Sequence, residues 1–291
     1  GSSNLKSINY LEKKGSAQCK SAVILGALKS DGETTIKAKK SRNHTELLCK
    51  HLNIPIKVYS RKNYDYIKIK KTSKINKLNY NIPSDISSSA FFIVLTALAK
   101  NSELVIKNVN INPSRIGIIT ILKKMGVKIA YQNKKVYRGE EIADIKIWSS
   151  KSIKPINCPS KLNASAIDEF LIIFLVAAKA NGISNFKGLA ELNKKESPRL
   201  KWGSKILNKM GARIILKNKK YYKGEKIADI HIKSKKSFKP INCPIKYNSS
   251  AIDEFLIIFL VAAKAKGISY FKKLTELNEK ESPRLKIGSK I

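Results

Sequence analysis

The chain contains short runs of consecutive apolar residues, each followed by a segment in which polar and apolar residues alternate. This order of segments repeats along the chain. The apolar runs are too short to cross a bilayer, so they predict buried core helices at 22–28, 90–99 and 170–178. The alternating segments predict strands at 33–38, 53–58, 64–69, 103–109 and 183–186. A polar stretch at 71–77 predicts a linker. The pattern as a whole indicates an α/β (α+β) fold built from repeated modules.

The third module contains the longest repeated stretch. Its helix is predicted to begin at Ser165, which places Asp168 and Glu169 in the first turn, near the positive helix N-terminus. Residues 139–204 recur 85 positions later as 224–289, and fourteen of the 66 aligned positions differ. The sequence therefore predicts the same layout in both copies.

An arginine recurs at one point of the module, immediately before an amphipathic helix, as Arg42, Arg115, Arg199 and Arg284. Helix N-termini offer free N–H groups, and an arginine adds a bidentate fork, so this position suits an anion. The alternative is that each arginine caps or braces its own module. The recurrence supports an anion-lined face about as well as it supports this structural role.

Composition adds a strong positive charge. The chain carries 58 Lys and Arg against 21 Asp and Glu, a formal net charge of +37. Clustered cations would favour nucleic acid, but here lysines are spread over the predicted solvent faces and accompany abundant Ile and Asn, which indicates compositional bias. No DNA-reading helix or stacked-aromatic pattern is evident, so we expect no nucleic-acid partner. A positive field still favours small anionic ligands.

The cysteines and histidines are scattered. Cys19, Cys49, Cys158 and Cys243 form no CxxC spacing, which predicts no metal site and is typical of free thiols in a reducing cytoplasm. Neither a signal peptide nor a membrane-spanning run is visible, so we expect a cytoplasmic protein without a membrane partner.

Eight short motifs follow one another in a fixed order. They are Ser16-Ala17-Gln18-x-Lys20-Ser21-Ala22, Asp31-Gly32-Glu33-Thr34-Thr35, Ser41-Arg42-Asn43-His44-Thr45-Glu46, Pro83-Ser84-Asp85-Ile86-Ser87-Ser88, Asn112-Pro113-Ser114-Arg115-x-Gly117, Gly139-Glu140 with Ala143-Asp144-Ile145, Ile167-Asp168-Glu169 and Lys195-Glu196-Ser197-x-Arg199. Each is weak alone. Together, over about 1–207, they resemble 5-enolpyruvylshikimate-3-phosphate synthase (EPSP synthase) of the shikimate pathway. The family that transfers enolpyruvate to UDP-N-acetylglucosamine is less similar.

This resemblance implies the enolpyruvyl transferase architecture, an inverse α/β barrel of two domains, each with three βαβαββ units, around an active-site cleft. On this basis 1–76 ends the first family domain, 77–206 forms part of the second, and 207–291 nearly duplicates the module at 122–206. The implied reaction converts shikimate 3-phosphate and phosphoenolpyruvate to EPSP and phosphate through a tetrahedral intermediate. It serves chorismate and aromatic amino acid biosynthesis and uses no metal or organic cofactor.

The resemblance also implies residues that bind the substrates. Ser16, Ala17 and Gln18 match the helix-start motif that holds shikimate 3-phosphate, with Gln18 also near phosphoenolpyruvate. Arg42 matches a contact to the substrate phosphate, and Arg199 matches a clamp on phosphoenolpyruvate. Two anionic substrates require such fixed cations.

Three further positions match catalytic residues of the family. Asp168 matches the carboxylate that accepts the 5-hydroxyl proton. Lys195 matches a cation near the transferring oxygen, and both of these residues also contact shikimate 3-phosphate. Glu196 matches the acid that protonates the methylene carbon. Proton removal and delivery require two carboxylates in different environments. Without the family, Asp168 would be interpreted as a helix-dipole acid.

The sequence also departs from the family. Pro198 stands where Asp is usual and restricts Ser197, and Asn193 stands where Arg is common. The family's opening and closing motifs are not found, so the chain resembles an internal fragment. Its second copy repeats the catalytic set as Asp253, Lys280, Glu281 and Arg284. Both copies cannot occupy one active site.

Three hypotheses follow for the function. The first is an EPSP synthase piece whose activity is reduced or lost, the second is a non-catalytic anion-binding or interaction module of the same fold, and the third, less favoured, is a basic nucleic-acid binder. The duplicated module is expected to expose apolar helix residues at 255–261, which would promote self-association unless a partner covers them.

Overall fold

The structure, a computed structural model, describes residues 4–189, 192, 199–222, 225–234, 237–279 and 285–286, with the backbone alone at 199, 220–222 and 225–228. The helices in this part of the chain are α1 (Ala17–Ala27), α2 (His44–His51), α3 (Ile86–Leu98), α4 (Gly117–Lys124), α5 (Phe170–Lys179), α6 (Arg199–Lys209) and α7 (Phe255–Ala263). The strands are β1 (Asn9–Glu12), β2 (Glu33–Lys39), β3 (Ile56–Arg61), β4 (Tyr64–Lys70), β5 (Glu103–Asn110), β6 (Ile129–Tyr137), β7 (Glu140–Trp148), β8 (Ile183–Phe186), β9 (Arg213–Tyr222) and β10 (Glu225–Lys233). The mixed α/β class predicted from the pattern is confirmed.

The chain divides into two compact units. Unit 1 comprises 1–84, 108–115 and 133–143, and unit 2 comprises 85–107, 116–132 and 144–291. These units are defined by contacts within each of them. The family-domain boundaries at 76 and 206 stay predictions.

Unit 1 is built around a four-stranded sheet in the order β1-β2-β4-β3. Strand β1 runs parallel to β2, and the other neighbours are antiparallel. Strand β2 buries alternate residues, Thr34, Ile36 and Ala38, because successive side chains of a strand point to opposite faces. These residues join a core contributed by α1 and β4, with Ile24 and Ile67 almost fully buried.

Unit 2 is organised around α5. Every residue from Phe170 to Ala178 is buried, and the helix packs against α3, α4, α6 and α7 and against strands β9 and β10. The sheet beside it has the order β8-β10-β9, with Ile230 of β10 opposite Phe186 of β8. A third sheet has the order β5-β7-β6; it belongs to neither unit as a whole, because the unit boundaries fall within its strands. In each of these sheets the second strand of a hairpin pairs with the strand that precedes the hairpin.

The helix of the first copy starts later than the sequence predicted. Residues Ser160–Leu162 and Ala164–Ala166 form 3₁₀ turns, and α5 begins at Phe170, so Asp168 and Glu169 precede the helix. The prediction that these acids lie in the first turn is wrong. The apolar periodicity is satisfied equally by both conformations, so the pattern does not distinguish between them. The 3₁₀ segment packs against α4.

The second copy also differs from its prediction. Phe255, Ile257, Ile258 and Val261 are buried, so the expectation that they are exposed is wrong. The reason is that α7 packs against α3, α5 and α6 within unit 2. Residues 268–271, which correspond to β8, form an isolated bridge between Asn242 and Tyr270 rather than a strand.

Two absences hold for the described residues. None of the helices there is long and apolar enough to span a membrane. No three His, Cys, Asp or Glu side chains of that part of the chain lie together in a way that would hold a metal ion.

Candidate active site

The first candidate element is the N-terminus of α1 in unit 1. Ser16 is the N-cap residue, with extended backbone at φ −82° and ψ 113°, and its hydroxyl accepts a hydrogen bond from the Cys19 amide at 3.2 Å. Ser16 and Ala17 are half-buried, whereas the Gln18 side chain is exposed. The sequence motif therefore lies where the helix dipole and its terminal N–H groups favour an anion.

Helix α2 of the same unit begins beside this element. Lys20 is fully buried in α1, and its ammonium group lies 2.6 Å from the Glu46 carboxylate in the first turn of α2. The same ammonium donates a hydrogen bond to the backbone carbonyl of Arg42 at 2.9 Å. The Ser21 and Thr45 hydroxyls lie 2.6 Å apart and add a second link between the two helices. The structure thus brings the Ser16–Gln18 helix start and the Arg42 backbone together.

A second polar network holds the residues that follow Arg42. The amide of Asn112 donates to the Asn43 side-chain oxygen at 2.9 Å and to Glu140 Oε2 at 3.1 Å. His44 Nδ1 lies 2.5 Å from Glu140 Oε1. Burial raises the pKa of the Glu140 carboxyl, but the hydrogen bonds from His44 and Asn112 and the charge of His44 outweigh burial and hold the pKa below its ordinary value. The Arg42 backbone and the two residues that follow it are therefore anchored.

Asp168 lies in unit 2, in the turn between the 3₁₀ segment and α5, and is half-buried. This segment packs tightly against the start of α4. A Cβ atom added to Gly117 would lie 2.5 Å from Ser165 Oγ, 2.7 Å from the Ser165 carbonyl carbon and 2.8 Å from Ala166 Cβ. Only glycine permits this approach. The neighbouring Glu169 is buried and accepts a hydrogen bond from Ser87 of α3, which holds the other side of the turn.

Several predicted site residues lie outside the described part of the chain. They are Lys195, Glu196, Lys280, Glu281 and Arg284, together with the two departures Asn193 and Pro198. Arg199 is the first residue of α6, and its side chain is outside the described set. Asp253 lies in the 3₁₀ segment Ser249–Glu254 and is half-buried, like Asp168.

Sequence reasoning missed the residues that position the site. Lys20 and Glu46 lie within the sequence motifs, and a lone charge within an otherwise apolar helical pattern, as at Lys20, is itself a signal of a buried pair. Glu140 and Asn112 also lie within motifs, and the motifs give neither residue a role. Their partners are distant in the sequence, so no local pattern could pair them.

The cysteines remain free in the fold, with Cys19 exposed and Cys49, Cys158 and Cys243 buried. Burial raises the pKa of the Cys158 thiol to about 11. Cys19 belongs to the first turn of α1. It is therefore the thiol closest in sequence to the candidate anion site.

The architecture matches the fold of a solved enolpyruvyl transferase. The solved enolpyruvyl transferase NikO from Streptomyces tendae matches with a TM-score of 0.66 at 10% identity, covering 99% of this chain and 64% of that chain. A likeness at this identity shows the fold alone. The structure therefore has the enolpyruvyl transferase fold, with repeated α/β modules.

The sequence comparisons narrow this class to one family. The family model described as EPSP synthase (3-phosphoshikimate 1-carboxyvinyltransferase) matches residues 1–237. The solved EPSP synthase from Acinetobacter baumannii matches with a TM-score of 0.79 and 31% identity over 99% of this chain and 62% of that chain. A 3-phosphoshikimate 1-carboxyvinyltransferase from Hydrogenovibrio crunogenus is 42% identical over 204 residues, and one from Endomicrobium trichonymphae is 36% identical over 215 residues. The chain belongs to the EPSP synthase family, and the resemblance inferred from the motifs is confirmed.

The chain spans about half the length of the curated relatives it matches. The alignments cover 68% and 74% of this chain but 45% and 49% of the two relatives. Residues 238–291, which hold most of the second copy, lie beyond the family match.

Proposed function

We propose that this chain takes part in enolpyruvyl transfer from phosphoenolpyruvate to the 5-hydroxyl of shikimate 3-phosphate, with EPSP and phosphate as products. Its partners are these two small anions, and the reaction belongs to chorismate biosynthesis. Family membership supports the reaction. The N-termini of α1 and α2 are held together by side-chain contacts in unit 1. These contacts support unit 1 as the part of the chain that binds the phosphorylated substrate.

The observation that carries the proposal is the buried Lys20 ammonium group. It is bound to Glu46 at 2.6 Å and to the Arg42 carbonyl at 2.9 Å, so the backbone that carries Arg42 is fixed before any ligand arrives. An anion site gains affinity when its cation needs little reorganisation. We assign Ser16, Ala17, Gln18 and Arg42 to shikimate 3-phosphate in this half-site.

The chemical steps are assigned to the first copy of the repeat. Asp168 takes the proton of the 5-hydroxyl as that oxygen adds to the enolpyruvyl carbon, and Glu196 delivers a proton to the methylene carbon. Lys195 stabilises charge near the transferring oxygen, and Arg199 holds phosphoenolpyruvate. The C–O bond to phosphate then breaks while a proton leaves the new methyl group, which restores the carbon–carbon double bond and releases EPSP and phosphate. No metal or organic cofactor is required by this scheme.

Ligand-dependent stabilisation of the full chain tests the half-site. At a concentration of about 100 times Kd, shikimate 3-phosphate should stabilise the chain by about 2.7 kcal/mol in thermal unfolding. Arg42→Gln should weaken binding by about tenfold or more, because a charge-assisted phosphate contact is lost. Arg61→Gln, at an exposed position of β3 in the same unit, is the matched control and should bind normally. Absence of stabilisation, or equal binding by both variants, would contradict the assignment.

A non-catalytic role is the second candidate. The observation favouring it is Pro198, which stands where the family usually has Asp and restricts Ser197 beside the predicted acid Glu196. Such a module would bind shikimate 3-phosphate as above and release no phosphate when phosphoenolpyruvate is added. Binding without turnover would therefore support this candidate over the first.

Self-association and a cytoplasmic location complete the proposal. Exposed Ile268 and Tyr270 of the second copy support self-association, and a clean monomer by light scattering at high concentration would contradict it. The four free cysteines support a reducing, cytoplasmic compartment.

A further inference from the structure

The turn between β6 and β7 packs against α2 within unit 1. This turn consists of Arg138 and Gly139, whose φ values of 51° and 86° are those of a two-residue hairpin connection of type I′. A Cβ atom added to Gly139 would lie 3.1 Å from the Leu47 carbonyl oxygen and 3.3 Å from His51 Cβ. The hairpin turn therefore lies on the α2 backbone, and the first residue of β7, Glu140, comes directly after it.

Glu140 connects this hairpin to the two residues that follow Arg42. The residue is 6% exposed, and each of its carboxylate oxygens has a partner. Oε1 lies 2.5 Å from His44 Nδ1, and Oε2 accepts a hydrogen bond from the Asn112 amide at 3.1 Å. The same amide donates to the Asn43 side-chain oxygen at 2.9 Å. Asn43 is at the N-cap position of α2 but makes no side-chain capping bond, so its side chain is held by this network.

Two sets of contacts therefore hold the backbone around Arg42. From α1, Lys20 donates to the Arg42 carbonyl at 2.9 Å. From the hairpin, the Glu140 network holds Asn43 and His44. Hydrogen bonds to a charged carboxylate are stronger than neutral ones, so we expect loss of this charge to loosen the start of α2. An arginine that binds phosphate through paired N–H groups is sensitive to such a change, because a small displacement breaks the bidentate geometry.

We propose that Glu140 is a positioning residue for the binding of shikimate 3-phosphate. It holds the start of α2 so that the Arg42 guanidinium meets the phosphate group, and it makes no contact with the substrate itself. This inference rests on the proposed function, because it adds a residue to the same half-site. The neighbouring Glu141 provides a matched comparison: its side chain is 42% exposed, and its ion pair with Lys134 at 3.2 Å lies at the surface.

Calorimetric titration of the full chain with shikimate 3-phosphate tests the proposal. Glu140→Gln should weaken binding by about fivefold or more, as expected for residues coupled through one hydrogen-bond network. Glu141→Gln is the control, and its affinity should stay within about twofold of the parent. The double variant Glu140→Gln with Arg42→Gln should bind within about twofold of Arg42→Gln alone, because Glu140 acts only through the arginine.

The double variant separates positioning from a purely structural role. If Glu140→Gln binds normally, Glu140 contributes to stability alone and the proposal is wrong. If its full loss of affinity adds to that of Arg42→Gln, it acts elsewhere in the chain and the proposal is also wrong. Should Glu140→Gln fail to fold by circular dichroism, His44→Gln takes its place, with the same pattern expected, because it removes the partner of Oε1.

The parent chain separates this proposal from the proposed function. Absence of any shikimate 3-phosphate binding by the parent would overturn the half-site assignment, and the role of Glu140 with it. Binding by the parent that weakens in Arg42→Gln but not in Glu140→Gln would leave the half-site intact and overturn the role of Glu140 alone.

Discussion

The two copies of the repeat are alike in their local contacts. Of 66 aligned residues, 52 are identical, since fourteen differ. Three phenylalanine rings in the first copy lie 6.0, 6.0 and 5.1 Å apart, and those of the second lie 5.8, 6.1 and 5.0 Å apart. Asn163 and Asn248 each donate to two backbone carbonyls of the loop that follows, at 2.8–3.2 Å and 2.7–2.8 Å. The two copies therefore share these local contacts along with their sequence.

The copies differ where a partner element must cover them. In the first copy, β10 pairs with β8, and α5 is buried from Phe170 to Ala178. In the second copy, residues 268–271 form a bridge but no strand, and α7 buries four residues of its nine. The local sequence of a module is sufficient to form its own helix and turns. Its sheet and its core are completed only when the hairpin that follows packs against it. Near-identical sequence thus gives different burial and different strand content.

This difference bears on function. The half-site in unit 1 and the turn that carries Asp168 are held by contacts such as Lys20 with Glu46 and Gly117 with Ser165. Asp253 lies in the second copy. The family match ends at residue 237, so most of this copy lies beyond it. We therefore assign chemistry to the first copy and none to the second.

The largest difference between the copies is expected for their matching phenylalanines. Phe186→Ala should cost about 3–5 kcal/mol of unfolding free energy, because the ring is 1% exposed within a complete core. Phe271→Ala should cost about 1–2 kcal/mol, because its ring is half-buried. Urea unfolding of both variants measures the two values. Equal costs would mean that β9–β10 adds nothing to the burial of the first copy.

A smaller effect is expected from displacing the turn before α5 in the first copy. Gly117→Ala should destabilise the chain by about 1–3 kcal/mol, because the new methyl group would overlap the backbone of Ser165. Gly26→Ala in α1 is the control, since nothing lies within 4 Å of its added Cβ; it should gain about 0.5–1 kcal/mol. Thermal unfolding measures the change in stability of both variants. A neutral Gly117→Ala variant would contradict the tight packing of this turn.

The smallest effect concerns the hairpin tip of the first copy, which is tied to α2 through Glu140 and His44. Glu140→Gln should cost about 1–2 kcal/mol at neutral pH. The pKa of Glu140 is lower in the folded than in the unfolded state, so its contribution is complete above the ordinary glutamate pKa and is lost as pH falls through the lowered value. Unfolding curves from neutral pH into acid should therefore converge for parent and variant. A constant difference across that range would contradict the pairing.

Much of the fold follows from periodicity. Alternation at 33–38 predicted β2, and the apolar run at 90–99 predicted α3, because both patterns are local. The late start of α5 was not predicted, because the apolar pattern does not distinguish a 3₁₀ turn from the first turn of an α-helix. The burial of α7 was not predicted either, because α3 and α6, which pack against it, are distant in the sequence. Family motifs indicated Ser16 and Arg42, and the lone charge of Lys20 indicated a buried pair, but the partners of Lys20 could be identified only from the structure.

Phosphate release from shikimate 3-phosphate and phosphoenolpyruvate most directly tests whether the first copy alone carries the chemistry. The parent chain should release phosphate. Asp168→Asn should lower the rate by about 10²–10⁴-fold, as expected for loss of a general base, while Asp253→Asn should match the parent. Equal losses in the two variants, or a loss confined to Asp253→Asn, would contradict the assignment to the first copy. No release from the parent would contradict catalysis by this chain and favour the non-catalytic module.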